Sequence, residues 1–561
     1  MEISITSNTM KNFLITITTI ILLGTTLTSC AQLMDKKNSF SRADSLRGSI
    51  NSPFRTCYDI NYYHLDVKVN PTEQFISGSN TFKFTATTNF KTLQFDLFAN
   101  LQIDKILYHN QELKGKREYN AVFLTFPKEI AKGKQDSFTV YYSGKPIVAK
   151  NAPWDGGFVF AKHDGDKDFI ATACQGVGAS IWWPNKDQQA DEVDSALISV
   201  SVPNHLMNVS NGRLVGKTDL KDGYTRYDWK VSNPINNYDI AVNAANYTHF
   251  NDIYQGLKGE LTLDYYVLPE NLAKAKTQFA DVKRMLKAFE HWFGPYPFYK
   301  DGFKLVETPH LGMEHQSAVA YGNKYRNGYL GRDLSGTGWG LKWDFIIVHE
   351  SGHEWFGNNI TAKDIADMWI HESFTNYSES LFVEYYYGKE AGAAYVRGTR
   401  KNIQNDKPII GQYDVNNEGS GDMYYKGGNM LHTIRQIIND DEKWRQILRG
   451  LNSTFYHQTV TTQQIENYIS EQAGIDLTPV FNQYLRDTRV PTLEYYFKEK
   501  QLVYRWINCV DGFTMPVQVD LNGESLRIQP TIEWKVQTLA TTNSKLTIDA
   551  NYYVAGLNSS N

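Results

Sequence analysis

The segment His349-Glu350-Ser351-Gly352-His353, with Glu372 following in Trp369-Ile370-His371-Glu372, constrains this chain more than any other part of it. It lies inside an apolar stretch, Trp343 to Phe356, whose helical propensity is adequate although Gly352 weakens it. At about 100° per residue, positions 349 and 353 sit about 40° apart around a helix and one turn along, with Glu350 at the edge of the same face. Two imidazoles on one face can bind one ion. A catalytic zinc takes three protein ligands and keeps a fourth position open for water. Glu372 follows His353 after eighteen residues, a gap that fits a helix, a turn and the start of an antiparallel helix, so His349, His353 and Glu372 are read as the ligands of one Zn2+ per chain. With 13 histidines in 561 residues, a chance HExxH is expected in roughly one or two chains per hundred, and the spaced glutamate lowers this about twentyfold.

The chemistry follows from that placement. Zinc lowers the pKa of its water toward ~7, and Glu350, beside the ligands but pointing past them, can take the proton and pass it to a leaving amine. Such a centre also needs a donor for the oxyanion besides the metal.

The spacing resembles the gluzincins, the zinc metallopeptidase family that includes aminopeptidase N and the leukotriene-type epoxide hydrolases, and the resemblance covers the chain from about Tyr58 to beyond Arg486. Leu311-Gly312-Met313-Glu314-His315 resembles the family's Gly-x-Met-Glu-Asn exopeptidase motif, with Leu311 and His315 as departures. Tyr424-Tyr425-Lys426-Gly427 resembles its Tyr-x-Lys-Gly motif. The resemblance implies that Glu314, with Gly312 and Met313, binds the substrate's α-ammonium and that Tyr424 donates to the oxyanion. It also implies that Thr172-Ala173-Cys174-Gln175 supplies Gln175 as a second anchor for the amine. A carboxylate and an amide one residue-length from the zinc form a pocket that only a free amino end can fill. The function implied is a zinc aminopeptidase acting on peptides with a free N-terminus. The alternatives are an epoxide hydrolase or dual-function relative, and an inactive lipid-anchored binding protein.

Outside the motifs, 561 residues with 41% hydrophobic content predict several domains. Alternating segments such as Tyr63 to Val69, Thr81 to Phe84 and Ser137 to Tyr142 predict a large antiparallel β domain. A helical pattern opens at Asn271 to Trp292, with Phe279, Val282, Met285, Leu286 and Phe289 on one face, and helices then dominate to about residue 487. Strands return from Leu493 to Ile548. The predicted fold is α+β: signal peptide 1–30, β-rich domain 31–250, thermolysin-like catalytic domain 251–487 and short β-rich domain 488–561, without a large C-terminal helical domain and so with a more open cleft. Lys11, the apolar run Phe13 to Leu23 and Leu27-Thr28-Ser29-Cys30 read as a lipoprotein leader, with Cys30 lipidated and the exported chain anchored to a bacterial membrane. An ordinary secretory signal is the alternative. A net charge of -4 and the lack of a basic run exclude a nucleic-acid partner. Cys57, Cys174 and Cys509 predict buried packing thiols rather than a disulfide framework.

Neighbouring residues have plainer readings. His310, His371 and His432 fit no ligand position and are read as satisfied histidines. Glu379, seven residues after Glu372 on the same helix face, either holds a ligand histidine or is a solvated helical glutamate. Trp182 and Trp183 are read as packing residues.

Overall fold

A computed structural model describes residues 40–540, 542 and 545–559. The leader and Cys30 lie outside these. The chain divides into two units, Met1–Ser45 and Leu46–Asn561. The described part of the first does no more than begin the short helix Arg42–Gly48.

The period-2 patterning near the start of the second unit produces an eight-stranded sheet. Its central strands, Tyr58–Asn70 and Phe75–Ala86, pair antiparallel, while Tyr58–Asn70 runs parallel to Ala196–Pro203 on its other side. Along Tyr58–Asn70, Tyr63, Leu65, Val67 and Val69 are buried and the residues between them are partly exposed. That is the alternation a half-buried strand requires. Phe82 on the neighbouring strand stacks on Phe138 at 4.5 Å between centroids. A separate four-stranded sheet, in the order Met207–Val209, Asn243–Ala245, Lys167–Ala173, Gly157–His163, ends its third strand two residues before Gln175. Trp182 and Trp183 are fully buried in the core of this half.

A second core joins the helices to the C-terminal strands: Met285, Trp343, Phe374 and Leu431 share it with Leu493, Trp506 and Val517. The helical segment predicted from Asn271 to Trp292 is two helices, Leu272–Gln278 and Ala280–Phe293. Phe279 breaks it with ψ −1°, its ring set edge-on against Tyr321 at 5.0 Å. The stretch read as helix-dominated also contains a mixed five-stranded sheet, in the order Thr248–Gly256, Gly259–Val267, Phe303–Glu307, Val319–Tyr321, Gly312–Met313. The boundary read at residue 250 falls inside the first of these strands. The last is an edge of two residues, and it places Gly312 and Met313 beside the candidate site.

No helix among the described residues is long and apolar enough to cross a membrane. Cys57, Cys174 and Cys509 are unpaired and buried.

Candidate metal centre and amine pocket

The helix Phe345–Gly352 carries His349 and Glu350, and His353 closes it. Its start is set by Asp344, whose Oδ1 accepts from the Ile346 and Ile347 N–H groups at 3.1 and 3.3 Å. Such a cap is worth about 1 kcal/mol. Asp344 is itself held by Tyr321 Oη at 2.7 Å, Asn323 Nδ2 at 2.8 Å and Gln278 Nε2 at 2.8 Å. Past His353 the chain leaves helical geometry at Phe356 and at Gly357, φ +135°, a region that disfavours a Cβ. The gap to Glu372 is more than a plain turn: it holds the strand Ile360–Ala362, paired in parallel with Gln458–Val460, before the helix Trp369–Tyr387 begins.

One ligand atom each from His349, His353 and Glu372 lies within 4.8 Å of the others, and all three residues are buried. His349 Nδ1 contacts Glu379 Oε1 at 2.8 Å. His353 Nδ1 meets the Phe356 carbonyl at 3.0 Å. Both Nε2 atoms therefore face Glu372 Oε2, at 3.8 Å from His349 and 3.4 Å from His353. That oxygen is buried without a hydrogen-bond partner. A buried, unsatisfied carboxylate oxygen facing two imidazole nitrogens is a donor set that fits zinc.

Glu379 is no solvated helical residue. It is fully buried, with Oε1 also taking Asn376 Nδ2 at 3.1 Å and Oε2 taking Tyr395 Oη at 2.8 Å. Glu314 is buried, accepts from Tyr238 Oη at 3.1 Å, and lies with Glu350 and His353 in a second cluster whose ligand atoms are within 4.8 Å. Gln175 Nε2 donates to Glu372 Oε1 at 3.0 Å. The Tyr424 ring lies nearly parallel to that of His349, 6.1 Å away. These residues, with Gly312 and Met313, line one cavity of about 320 Å³. Lys426 and Gly427 act structurally. The Lys426 ammonium donates to the Asp487 carbonyl at 2.8 Å, and a Cβ at Gly427 would lie 1.9 Å from Ser373 Oγ, so glycine lets this helix close on the one that carries Glu372.

The electrostatics are dominated by burial. Burial pushes Glu350 up to about 7 against the pull of His349. Burial works to lower His353, but the carboxylates of Glu372, Glu314 and Glu350 together outweigh it and raise the imidazole. Glu372 moves down beside the His353 imidazole, against the effect of its own burial. A bound divalent cation reverses the preference of the two imidazoles for a proton. Burial, then Glu372, hold the Tyr424 phenol well above its ordinary value, so it remains an O–H donor.

Two of the three plainer histidines have partners away from the ligand set, whereas both ring nitrogens of His310 are buried without one, so the reading of His310 as a satisfied histidine does not hold. His371 Nε2 accepts from the Ala362 N–H at 2.8 Å. His432 lies between Tyr377 Oη at 3.3 Å and Asn551 Oδ1 at 3.1 Å. His310 and His315 are buried. Sequence reasoning missed Tyr238, Asp344, Trp154 and Glu418. Only Asp344, an aspartate directly before an apolar helical run, carried a local signal.

The family model described as Peptidase family M1 domain matches residues 278–484, and that described as Peptidase M1 N-terminal domain matches residues 59–238. The chain belongs to peptidase family M1. It is similar to Endoplasmic reticulum aminopeptidase 1 of Mus musculus, 22% identical over 301 residues, covering 52% of this chain and 32% of that protein. Aminopeptidase N of Lactobacillus helveticus is 26% identical over 243 residues, 39% of this chain and 27% of that protein. Leukotriene A-4 hydrolase of Xenopus laevis is 22% identical over 457 residues, 73% of this chain and 68% of that protein. The chain thus spans about a third of the first of these relatives. The M1 zinc metallopeptidase of Deinococcus radiodurans bound to Tyr-Ser-Ala shares the fold, with a TM-score of 0.65 at 19% identity over 79% of this chain and 97% of that one.

Proposed function

We propose that this M1 chain is a zinc aminopeptidase that removes the first residue of peptides with a free amino end, using one Zn2+ per chain. The observation that carries the reading is the position of Glu314: a buried carboxylate within 4.8 Å of both Glu350 and a ligand imidazole binds an ammonium group one residue-length from the reacting carbonyl. Gln175, with its Nε2 on Glu372, leaves its Oε1 to accept from the same ammonium. An acylated or internal residue leaves these groups unpaired, which is how a buried polar site rejects a substrate.

When bound, zinc supplies Lewis acidity, polarising the scissile carbonyl and lowering the pKa of the attacking water toward ~7. Glu350, with a proton affinity already raised by burial, takes the proton from that water and returns it to the leaving amine. Tyr424 donates its phenolic O–H to the negative charge that develops on the carbonyl oxygen.

The test is turnover of an amino-acid anilide and of its N-acetylated form by zinc-loaded protein, before and after chelation. Hydrolysis confined to the free amine and lost on chelation supports the reading, and equal cleavage of both forms rejects it. Glu350→Gln should abolish turnover while zinc content stays unchanged.

Export and lipid attachment through Cys30 rest on the charge, apolar run and cysteine of the leader alone. Cys30→Ser should move the protein from the membrane fraction to the soluble fraction of the producing bacterium. Retention in the membrane would reject the anchor.

A further inference from the structure

The mouth of the catalytic cavity carries two residues that the proposed reaction leaves unused. Trp154 is 63% exposed, an unusual state for a tryptophan, and Glu418 is exposed too. Both line the same cavity as His349, Glu350 and Glu314, and both bracket the loop that carries Gln175. A Cβ at Gly176 would lie 2.5 Å from Glu418 Oε1, so this carboxylate sits directly over the backbone next to Gln175. On the other side, a Cβ at Gly156 would lie 2.8 Å from Val177 Cγ2, which seats the Trp154 segment against the same loop.

The loop just before Glu418 is tethered to the Gln175 loop and to the chain at residues 48 to 50. Asn416 Nδ2 donates to the Gly176 carbonyl at 3.2 Å, and the Ile50 N–H donates to Asp414 Oδ1 at 3.2 Å. A Cβ at Gly48 would lie 2.0 Å from the Asn416 nitrogen, so the chain at 48 runs flush against this loop. Arg47 ties the underside, bonded to the Val177 carbonyl and paired with Asp187 at 2.6 Å.

The Glu418 carboxylate itself makes no hydrogen bond or ion pair among those of the described residues. Among the described residues no lysine or arginine lines the cavity, whereas Glu314, Glu350, Glu372, Glu379 and Glu418 all do. The same cavity is also lined by the apolar side chains of Leu311, Leu334 and Phe345 and by the Tyr329 ring. A long side chain with a methylene stem and a cationic tip matches those surfaces: stem on the apolar side chains, tip at an unpaired carboxylate and an open indole face.

We propose that Glu418 and Trp154 form a cation-recognising subsite for the side chain of the substrate's first residue, so that the enzyme prefers peptides beginning with arginine or lysine. This rests on the aminopeptidase reading, because Glu314 and Gln175 must first fix the amine for the side chain to point along the Gln175 loop toward Glu418. The excess of acidic side chains also concentrates cationic substrates at the mouth, and this part weakens with salt.

The experiment compares anilides of arginine and citrulline, which share length and shape and differ in charge, and of lysine and norleucine, which share the stem. The expected result is a kcat/KM at least tenfold higher for arginine than for citrulline, with this ratio falling toward one in Glu418→Gln. Trp154→Leu should lower the lysine-to-norleucine ratio. A ratio near one in the unaltered enzyme, or one unmoved by Glu418→Gln, overturns the subsite. If neutral and cationic anilides are hydrolysed alike, only the subsite fails; if no free-amine substrate is hydrolysed, the aminopeptidase reading fails first. Calorimetry on zinc-loaded Glu350→Gln protein decides the subsite in either case: tighter binding of arginine amide than of citrulline amide supports it, and equal binding overturns it.

Discussion

His349 Nδ1 lies 2.8 Å from Glu379 Oε1, and this one contact puts the proton on Nδ1 and turns the Nε2 lone pair toward Glu372. The carboxylate is held in turn by Asn376 and Tyr395, so the imidazole has little freedom to rotate away. Outer carboxylates of this kind raise ligand basicity and fix its aim. Glu379→Gln should weaken zinc affinity about 10–100-fold, measured by competition with a chromogenic chelator. Unchanged affinity would reduce Glu379 to a packing role.

Tyr424 keeps its proton at any working pH because burial and Glu372 hold the phenol up. Removing an oxyanion donor costs about 10²–10³ in kcat. Tyr424→Phe should therefore lower kcat by about that factor with KM little altered, as read from steady-state kinetics on a free-amine substrate. A change confined to KM would place the hydroxyl in substrate binding instead.

Gly427 leaves no room for a Cβ against the helix that carries Glu372. With Ser373 Oγ 1.9 Å and Ser373 Cβ 2.6 Å from the position of a Cβ, Gly427→Ala must push the helix Trp369–Tyr387 outward. The expected loss is about 1–3 kcal/mol of stability, read from denaturant midpoints of metal-free protein. Weaker zinc retention should accompany it, because Glu372 adjoins Ser373.

Burial holds His432 at about 3, well below the ordinary value of 6.5. The unfolded chain takes up a proton there near pH 6.5, whereas the folded chain does not until far lower pH. Stability from this residue is thus complete above pH 6.5 and is lost as pH falls, by up to about 1.4 kcal/mol per pH unit. Half-buried Glu192 and buried Glu354, both raised to about 8, pull the other way, so the useful measure is a difference. His432→Gln cannot titrate, and between pH 6.5 and 5 its stability should fall less steeply than that of the parent in denaturant titrations. Parallel slopes would rule out a titrating role for this histidine.

What was legible in the sequence depended on local period. His349, His353 and the candidate Glu379 follow from 3.6 residues per turn, since each lies on a helix face that sequence spacing alone defines. The long sheet strand beginning at Tyr58 is visible for the same reason at period 2. The strands Phe303–Glu307, Gly312–Met313 and Val319–Tyr321 are two to five residues long and buried throughout, so they lack the alternation that reveals a strand. Phe279 looked like one more member of an apolar helix face, and its aromatic contacts, not its propensity, end the helix there. Tyr238 reaches the Glu314 carboxylate from 76 residues before it, and Glu418 lines the cavity from 104 residues after it, which no short-range pattern encodes. Glu314 itself was found only through its motif.

The three-residue strand Ile360–Ala362 is held by Gln458–Val460, and the Ala362 N–H is fixed by His371, the residue before Glu372. The third ligand is thus aimed by a segment nearly a hundred positions downstream. During synthesis the imidazole pair exists long before its carboxylate partner is locked in direction, so high-affinity metal capture should be a late step, delayed until the chain past Val460 has left the ribosome and docked.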